Sequence, residues 1–234
     1  MESNDKFKIN YISAPILNIE ELKAQFVPDD DDKDFSYNAF NVLSFQNYQP
    51  LYKNFFKMSE SNFDKITFNQ YFSIYDLETV KHNETEQLFN KKIFIKHSPL
   101  LDPIRYMIGK YDISDNTIRT LPTIDSTEKT SYNKLLSINN SSYVDGFFSF
   151  LSSVLLHKYE FKNSIDYFGS FLAVQEKYKM NITDDYEYLN DSNFFLENIN
   201  NHFSITKYEM LKQFMENTSR KNRNKLNISS NVIN

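Results

Sequence analysis

The clearest group of carboxylates in this sequence is Asp184-Asp185, with Glu187 two residues further on. Neighbouring carboxylates could hold a divalent cation such as Mg²⁺ or carry out acid–base chemistry. The same residues would also suit a solvated turn or the start of a helix, where acidic side chains are stabilised by the helix dipole. We therefore name Asp184 and Asp185 as speculative metal-site residues and keep the solvated turn as the alternative.

A single lysine is the second candidate. Lys96 ends the short apolar run Lys92–Lys96, which contains β-branched and aromatic residues and which we predict to be a buried strand. A charged residue at the end of such a strand either extends its ammonium group to the surface or meets an anion in a cleft. Lys96 is therefore a candidate anion contact.

The four histidines show no metal-binding spacing. They are His82, His97, His157 and His202, and none belongs to a His-Glu-x-x-His motif. His157 falls at the end of a predicted helix, where the negative end of the helix dipole favours an imidazole. A Ser–His–acid triad is recognised by its arrangement in space, so the sequence leaves that alternative open. It shows no Gly-x-Ser-x-Gly elbow.

Two absences exclude whole classes of chemistry. The 234 residues include no cysteine, which excludes disulfides, thiolate zinc sites, iron–sulfur clusters and cysteine nucleophiles. The three glycines, at 109, 146 and 169, are too far apart for a Walker loop, a dinucleotide-binding fingerprint or a kinase glycine-rich loop. No cofactor is expected.

Charge and hydropathy limit the partners. The net charge is −5 and the pI is near 5.4, which argues against general nucleic-acid binding through a basic surface. The start of the chain lacks the apolar segment of a secretory signal. The most apolar stretch, Phe147–Leu156, is about half the length that a bilayer span needs. We expect an intracellular, soluble protein without a membrane partner.

Composition changes twice along the chain. Residues 1–34 are predicted to be an irregular segment that ends in the acidic, solvated run Asp29–Asp34. Residues 35–218 are predicted to form a single α+β domain. Residues 219–234 have little apolar content and are predicted to be a basic disordered tail. The tail supplies the speculative contacts to nucleic acid, which are Arg220, Lys221, Arg223 and Lys225.

The strongest periodic element begins near Ser142. Apolar residues follow at spacings of three and four and predict a buried amphipathic helix, with Ser142 and Asp145 resembling a capping box. The members of the predicted buried stripe are Val144, Phe147, Phe148, Leu151, Val154 and Leu155.

Shorter elements surround this helix. Residues 164–174 are predicted to be two strands meeting near Gly169, and residues 112–140 a loop. We predict further helices at Ile104–Tyr111 (with Pro103 at its first position), Phe194–Asn200 and Ile205–Met215. The many aromatic residues between Phe35 and Tyr75 are predicted to pack in a core or an interface.

Two segments resemble a known family. They are residues 94–111, which begin Phe94-Ile95-Lys96-His97-Ser98-Pro99, and residues 143–171, which begin Tyr143-Val144-Asp145-Gly146-Phe147 and reach Tyr167-Phe168-Gly169-Ser170-Phe171. Together they resemble an uncharacterised, mimivirus-like family of giant nucleocytoplasmic large DNA viruses, some members of which are distantly similar to protein kinases.

The kinase-like side of this resemblance implies specific roles. It would make the fold a degenerate kinase small-lobe-like sheet with one long buried helix and extra helices. Lys92–Lys96 would be the third strand of the lobe, and Lys96 its phosphate-contacting lysine. Asp145, on the long helix, would be the acidic partner of Lys96. Residues 165–174 would be the next strand pair, and residues 97–140 an insertion.

The departures from a kinase are large. A glycine-rich loop before Lys96, a His-Arg-Asp loop and an Asp-Phe-Gly motif are all absent from the sequence. We therefore predict a non-catalytic viral interaction or structural protein, in the virion or the host cytoplasm, with a viral or host protein as its partner. The alternatives are a degenerate kinase-like nucleotide-binding domain (a pseudokinase), whole or as a fragment, and a nucleic-acid-binding protein. The oligomeric state stays open.

Overall fold

The computed structural model describes residues 7–27 and 37–206. The acidic run Asp29–Asp34, nearly all of the predicted helix Ile205–Met215 and the basic tail lie outside the described residues. Within them, helices and small antiparallel sheets coexist, which confirms the predicted α+β class.

The described residues divide into two compact units. The larger contains residues 7–27, 37–102 and 113–179, and the smaller contains residues 103–112 and 180–206. This division falls inside the range 35–218 that the sequence assigns to one domain.

The strands of the larger unit form three small antiparallel sheets. Strand β1 (Tyr11–Ser13) pairs with β3 (Ile66–Phe68), and β2 (Val42–Gln46) pairs with β7 (Leu172–Gln175). The third sheet has the order β4 (Phe72–Ile74), β5 (Thr79–His82) and β6 (Leu88–Asn90). Sequence neighbours pair in the third sheet, as expected for short hairpins.

Helices α1 (Ile19–Gln25), α3 (Asn133–Leu136) and α4 (Ser141–Tyr159) belong to the larger unit. Two short 3₁₀ turns, Pro50–Asn54 and Asn116–Arg119, accompany them. Residues 112–140 were predicted to be loop throughout, and the structure corrects this with α3 and the second 3₁₀ turn. Each of these elements is only four residues long and contains few apolar residues. A helical repeat of apolar residues therefore cannot be recognised there in the sequence.

Helix α4 confirms the strongest sequence prediction. Its N-cap is Asn140, whose Oδ1 accepts a hydrogen bond from the Ser142 amide at 3.1 Å, so the predicted capping role of Ser142 is wrong. The helix ends where Glu160 adopts a left-handed conformation, with φ of 56°. Amide groups in the first turn of a helix have no carbonyl partner within the helix, so they need a capping side chain such as that of Asn140.

Aromatic side chains from residues 48–68 pack against α4 and form the main core. Tyr48, Tyr52 and Phe68 are fully buried there, and the Phe68 ring stacks on Phe150 with centroids 4.6 Å apart. The predicted packing role of the aromatic-rich segment is confirmed for these residues. Burial of each such side chain contributes roughly 1.5–3 kcal/mol. Burial also raises the pKa of Tyr52 to about 12.

The predicted strand Lys92–Lys96 is wrong. The segment has no regular secondary structure, and its lysines and Phe94 are exposed. Within the described residues, its backbone bonds to the chain near β5 at the start, where the Lys91 amide donates to the Glu78 carbonyl and the Ile93 amide to the Leu77 carbonyl. Ile93 and Ile95 pack at the edge of a small cluster around Leu22, while the Phe94 side chain is 87% exposed. The apolar run therefore covers an edge of the core with alternate side chains, and none of the described strands pairs with it.

Residues 164–174 form one strand rather than two. Only β7 is regular, because backbone groups before it bond elsewhere: the Ile74 amide donates to the Phe168 carbonyl, and the Ile165 amide to Ser152 Oγ. Gly169 has φ of 127°, which a residue with a side chain rarely adopts. This glycine turns the chain just before β7.

The smaller unit contains α2 (Pro103–Met107), α5 (Tyr186–Asn190) and α6 (Asn193–Asn198). Helix α6 confirms the prediction at Phe194–Asn200. Helix α2 confirms the predicted start at Pro103 but ends at Met107, four residues before the predicted end at Tyr111. The core of the smaller unit consists of Met107, Tyr186, Leu189 and Phe195. Gly109, at φ 73°, follows α2 where a Cβ atom would lie 2.7 Å from the Phe194 ring, so close packing and backbone conformation both require glycine.

Candidate functional site

The structure brings Lys96 and Asp145 together. Lys96 Nζ donates to Asp145 Oδ2 at 2.7 Å, although the two residues are 49 positions apart. Asp145 lies in the second turn of α4, whereas Lys96 lies in an extended segment and not on the strand that the kinase-like resemblance implies. The two side chains are 62% and 49% exposed.

Hydrogen bonds to the N-terminal end of α4 hold the chain that follows Lys96. Ser98 Oγ lies 2.9 Å from Ser142 Oγ, and Ser142 Oγ donates to the Pro99 carbonyl at 3.0 Å. Asn140 Nδ2 donates to the Leu100 carbonyl at 3.0 Å. These contacts fix the backbone after Lys96, so the ion pair forms without any strand.

This ion pair lies on an exposed part of the surface. An exposed pair of this kind contributes about 0–1 kcal/mol, because water screens both charges. A small cleft in the larger unit is lined by residues such as Pro15, Thr67 and Gly169, and by neither Lys96 nor Asp145. The pair has the residue types of a phosphate contact, and both of its side chains are largely exposed.

A second cluster, which the sequence did not reveal, is centred on Asp166. Lys91 Nζ donates to Asp166 Oδ2 at 2.7 Å, and Ser153 Oγ donates to Oδ1 at 2.9 Å. His157 Nε2 also lies 2.8 Å from Oδ1, and the Tyr167 amide donates to it at 3.1 Å. The Asp166 side chain is only 12% exposed, so this carboxylate is both nearly buried and fully bonded.

Aromatic rings surround the charged groups of the Asp166 cluster. Lys91 Nζ lies 4.9 Å from the centre of the Phe72 ring and 5.2 Å from that of Phe168. The His157 ring packs on Tyr71 at a centroid distance of 4.5 Å. A cation over an aromatic face is favourable, and it is more so where water is partly excluded.

The pKa of Asp166 reflects these contacts. Burial raises the pKa, but hydrogen bonds from Lys91, His157 and Ser153 lower it, as does the charge of His157. The net result is a pKa below the ordinary value of 3.8. The carboxylate is therefore ionised at neutral pH, which suits a group that accepts several hydrogen bonds.

Ser153, His157 and Asp166 have the residue types of a catalytic triad but not its arrangement. In a triad the serine hydroxyl bonds to the histidine, which removes its proton. Here Ser153 and His157 both bond to the same oxygen of Asp166, and Ser153 is buried. The Asp166 cluster therefore joins the second half of α4 to the chain before β7 and to the end of β6. Its geometry is that of a structural tie.

Sequence spacing could have found part of this cluster. Ser153 and His157 are four residues apart, which places them on one face of a helix. Asp166 and Lys91 are brought in by the tertiary fold, and no local pattern links them to α4.

Asp184 and Asp185 lie in the turn before α5 and at its N-cap, respectively. Asp184 is exposed. Among residues 7–27 and 37–206, no group of three or more His, Asp or Glu side chains could hold a metal ion. The basic residues Arg220, Lys221, Arg223 and Lys225 lie outside the described part of the chain.

Helix α4 carries two apolar stripes with the same spacing. One stripe is Tyr143, Phe147, Phe150 and Val154, which face the core. The other, which we call the α4 outer stripe, is Phe148, Ser152, Leu155 and Tyr159, and its three large members are exposed, with Phe148 at 64% and Tyr159 at 57%. At 100° per residue each set spans about 60° of the helix surface, and their centres are about 140° apart.

This exposure corrects part of the sequence prediction. Phe148 and Leu155 were assigned to the buried stripe, and the structure places both of them on the solvent side. Two residues outside the helix extend the apolar surface. The Phe161 amide donates to the Leu155 carbonyl and the Ile165 amide to Ser152 Oγ, and both side chains are exposed.

Comparison with known proteins finds no matching family model, no matching curated protein and no matching solved structure. Among the described helices, none is both long and apolar enough to cross a membrane.

Proposed function

We propose that this protein is a non-catalytic interaction or structural protein of a large DNA virus, acting in the virion or the host cytoplasm, and that the α4 outer stripe is its docking surface. The observation that carries the proposal is the exposure of Phe148, Leu155 and Tyr159 in one line along a 19-residue helix. Contiguous exposed apolar surface of this kind marks interaction sites.

The stripe also indicates the chemistry of the partner. Its residues span about 16 Å along the helix, or three turns, which fits a second helix laid along α4. Asp145 lies before the stripe, and Lys162 follows the helix beyond it. In the antiparallel direction, a partner helix with a similar apolar face, an acidic N-terminal end and a basic C-terminal end would meet both groups with opposite charges. The partner is therefore a protein that presents an amphipathic helix, antiparallel to α4.

The polar clusters support a binding role over a catalytic one. The carboxylate of Asp166 is occupied by four hydrogen bonds within the protein. Lys96 and Asp145 neutralise each other on an open surface. Enzyme sites instead hold reactive groups in a cavity that excludes water.

The test compares partners captured from infected cells by tagged wild-type protein, Leu155→Glu and Phe94→Glu. Phe94 is exposed and lies outside α4, so Phe94→Glu is the matched control. We expect wild type and the control to retain a protein with an amphipathic helix, and Leu155→Glu to lose it. Equal capture by all three would overturn the assignment of the docking surface.

Nucleotide binding is the second candidate, and the Lys96–Asp145 ion pair favours it. A lysine held by a carboxylate is the pair that kinase-like proteins place at the phosphates of ATP. Calorimetric titration with Mg·ATP should compare wild type with Lys96→Ala, using the exposed neighbour Lys92→Ala as the control. ATP affinity that is lost only in Lys96→Ala would support this candidate and argue against a purely structural protein.

A further inference from the structure

The α4 outer stripe has the features of a surface that binds a copy of itself. This inference rests on the proposed function, because it requires the stripe to be a docking surface. We infer that the partner helix is α4 of a second copy of this chain, packed antiparallel about a two-fold axis between Ser152 and Leu155.

Side-chain size is complementary about that axis. The axis pairs Ser152 of each copy with Leu155 of the other, so a large side chain meets a small one. It also pairs Phe148 with Tyr159 of the second copy, and vice versa. Both aromatic side chains are more than half exposed, so their rings are free to pack against each other across the interface. A symmetric dimer requires such a self-complementary patch.

Ser152, the small residue of the α4 outer stripe, can be buried at low cost. Ser152 Oγ accepts a hydrogen bond from the Ile165 amide at 2.7 Å, so its oxygen has a partner within the same chain. Ile165 itself is exposed beside this contact and adds apolar area at the centre of the surface. A buried hydroxyl that keeps its hydrogen bond avoids most of the cost of leaving water.

Charges at the two ends agree with the antiparallel direction. Asp145 lies near the N-terminal end of α4, is half exposed and accepts a hydrogen bond from Lys96 of the same chain, and Lys162 lies just past the C-terminal end. In an antiparallel pair, Lys162 of the other copy approaches this half-exposed carboxylate as a second cation. A parallel pair would place like charges together. Antiparallel helix dipoles are also favourable, since the positive end of each lies beside the negative end of the other.

The size of the surface predicts a weak dimer. Phe148, Leu155, Tyr159, Phe161 and Ile165 are each about half exposed or more. With large side chains contributing about 150–250 Å² when fully covered, they supply about 500 Å² per copy. The pair then buries about 1,000 Å², at the lower limit of specific interfaces. We therefore expect self-association to be reversible and dependent on concentration rather than permanent.

The experiment is sedimentation velocity on the full chain over a series of concentrations. We expect wild type and the control Phe94→Glu to shift from monomer to dimer with the same midpoint. Leu155→Glu should raise the apparent Kd at least about tenfold, because it places two carboxylates in the apolar centre. Circular dichroism of each variant separates a lost interface from a lost fold, and glutamate is an acceptable helix residue.

A charge exchange tests the antiparallel direction. Lys162→Glu alone should weaken the dimer. Combining it with Asp145→Lys and Lys96→Glu should recover part of the loss, since the ion pair within the chain and the pair between copies are both restored with their signs reversed. No recovery in the triple variant would overturn the antiparallel arrangement.

The outcomes separate this inference from the proposed function. A wild-type chain that stays monomeric at every concentration, yet loses a captured protein in Leu155→Glu, would overturn self-association while leaving the docking surface in place. A dimer that persists unchanged in Leu155→Glu would overturn the inference. Failure of both experiments would overturn the two proposals together.

Discussion

Asp166 Oδ1 lies 2.8 Å from Nε2 of His157, nine residues earlier in the chain and on a different element. This contact connects the C-terminal end of α4 to the segment that precedes β7. Lys91 completes the tie from the side of the third sheet. Three parts of the larger unit therefore meet at a single carboxylate.

Replacing this carboxylate should be costly. Asp166→Asn keeps the shape but removes the charge that faces Lys91 and His157. We expect the free energy of unfolding to fall by about 1–3 kcal/mol, as for hydrogen bonds to charged groups. Urea denaturation followed by circular dichroism measures the change. Asp184→Asn, at an exposed position in a turn, is the control and should change stability by less than about 0.5 kcal/mol. Equal effects of the two variants would contradict the role of Asp166.

The same carboxylate makes stability depend on pH. Since the folded pKa of Asp166 lies below its ordinary value of 3.8, the unfolded chain takes up this proton first as the pH falls. The stabilisation is fully present above pH 3.8 and is lost as the pH drops through the folded pKa. The stability difference between wild type and Asp166→Asn should therefore be steady near about pH 5 and shrink below about pH 4. Urea midpoints across this range check it. A difference that grows on acidification would refute the assigned sign.

Lys96→Ala should leave stability almost unchanged. Its ion pair with Asp145 is short but exposed, and such pairs contribute about 0–1 kcal/mol. Lys91→Ala should cost more, because it leaves the nearly buried Asp166 without its cation and removes contacts with two rings. The comparison uses urea denaturation of both variants. A larger loss in Lys96→Ala would mean that its pair is structurally more important than its exposure indicates.

Asn140→Ala should destabilise the protein more than Ser142→Ala. Asn140 is buried, accepts from the Ser142 amide and donates to the carbonyls of Leu100 and Lys134. Loss of an N-cap costs about 0.5–2 kcal/mol, and the two carbonyls lose their donor as well. Ser142 Oγ makes only exposed contacts among the hydrogen bonds described above. Thermal unfolding of both variants measures the order, and the reverse order would restore Ser142 as the main cap.

The sequence predicted local secondary structure better than it predicted tertiary contacts. The period of α4, the proline at the start of α2 and the helix near Phe194 depend on neighbouring residues, and all three predictions are confirmed. The predicted strand at Lys92–Lys96 was wrong because a short apolar run indicates only that some of its side chains are buried. A strand also needs a second chain to pair with, and that chain lies far away in sequence.

The candidate site shows the same division. Lys96 and Asp145 were linked only through a family resemblance, and the structure places them 2.7 Å apart on an open surface. The Asp166 cluster was missed, since its lysine and its carboxylate are 75 residues apart.

By itself, the sequence determined the α+β class, the long helix and an aromatic core, because composition and short-range periodicity settle these. It could not determine which face of α4 is buried. Both stripes of α4 repeat at intervals of four, three and four residues, so either could have met the core. The packing of Tyr52 and Phe68 against the side of Phe150 decided between them and left Phe148, Leu155 and Tyr159 in solvent. Only the tertiary structure makes that choice, because the apolar area buried depends on which distant residues arrive at each face.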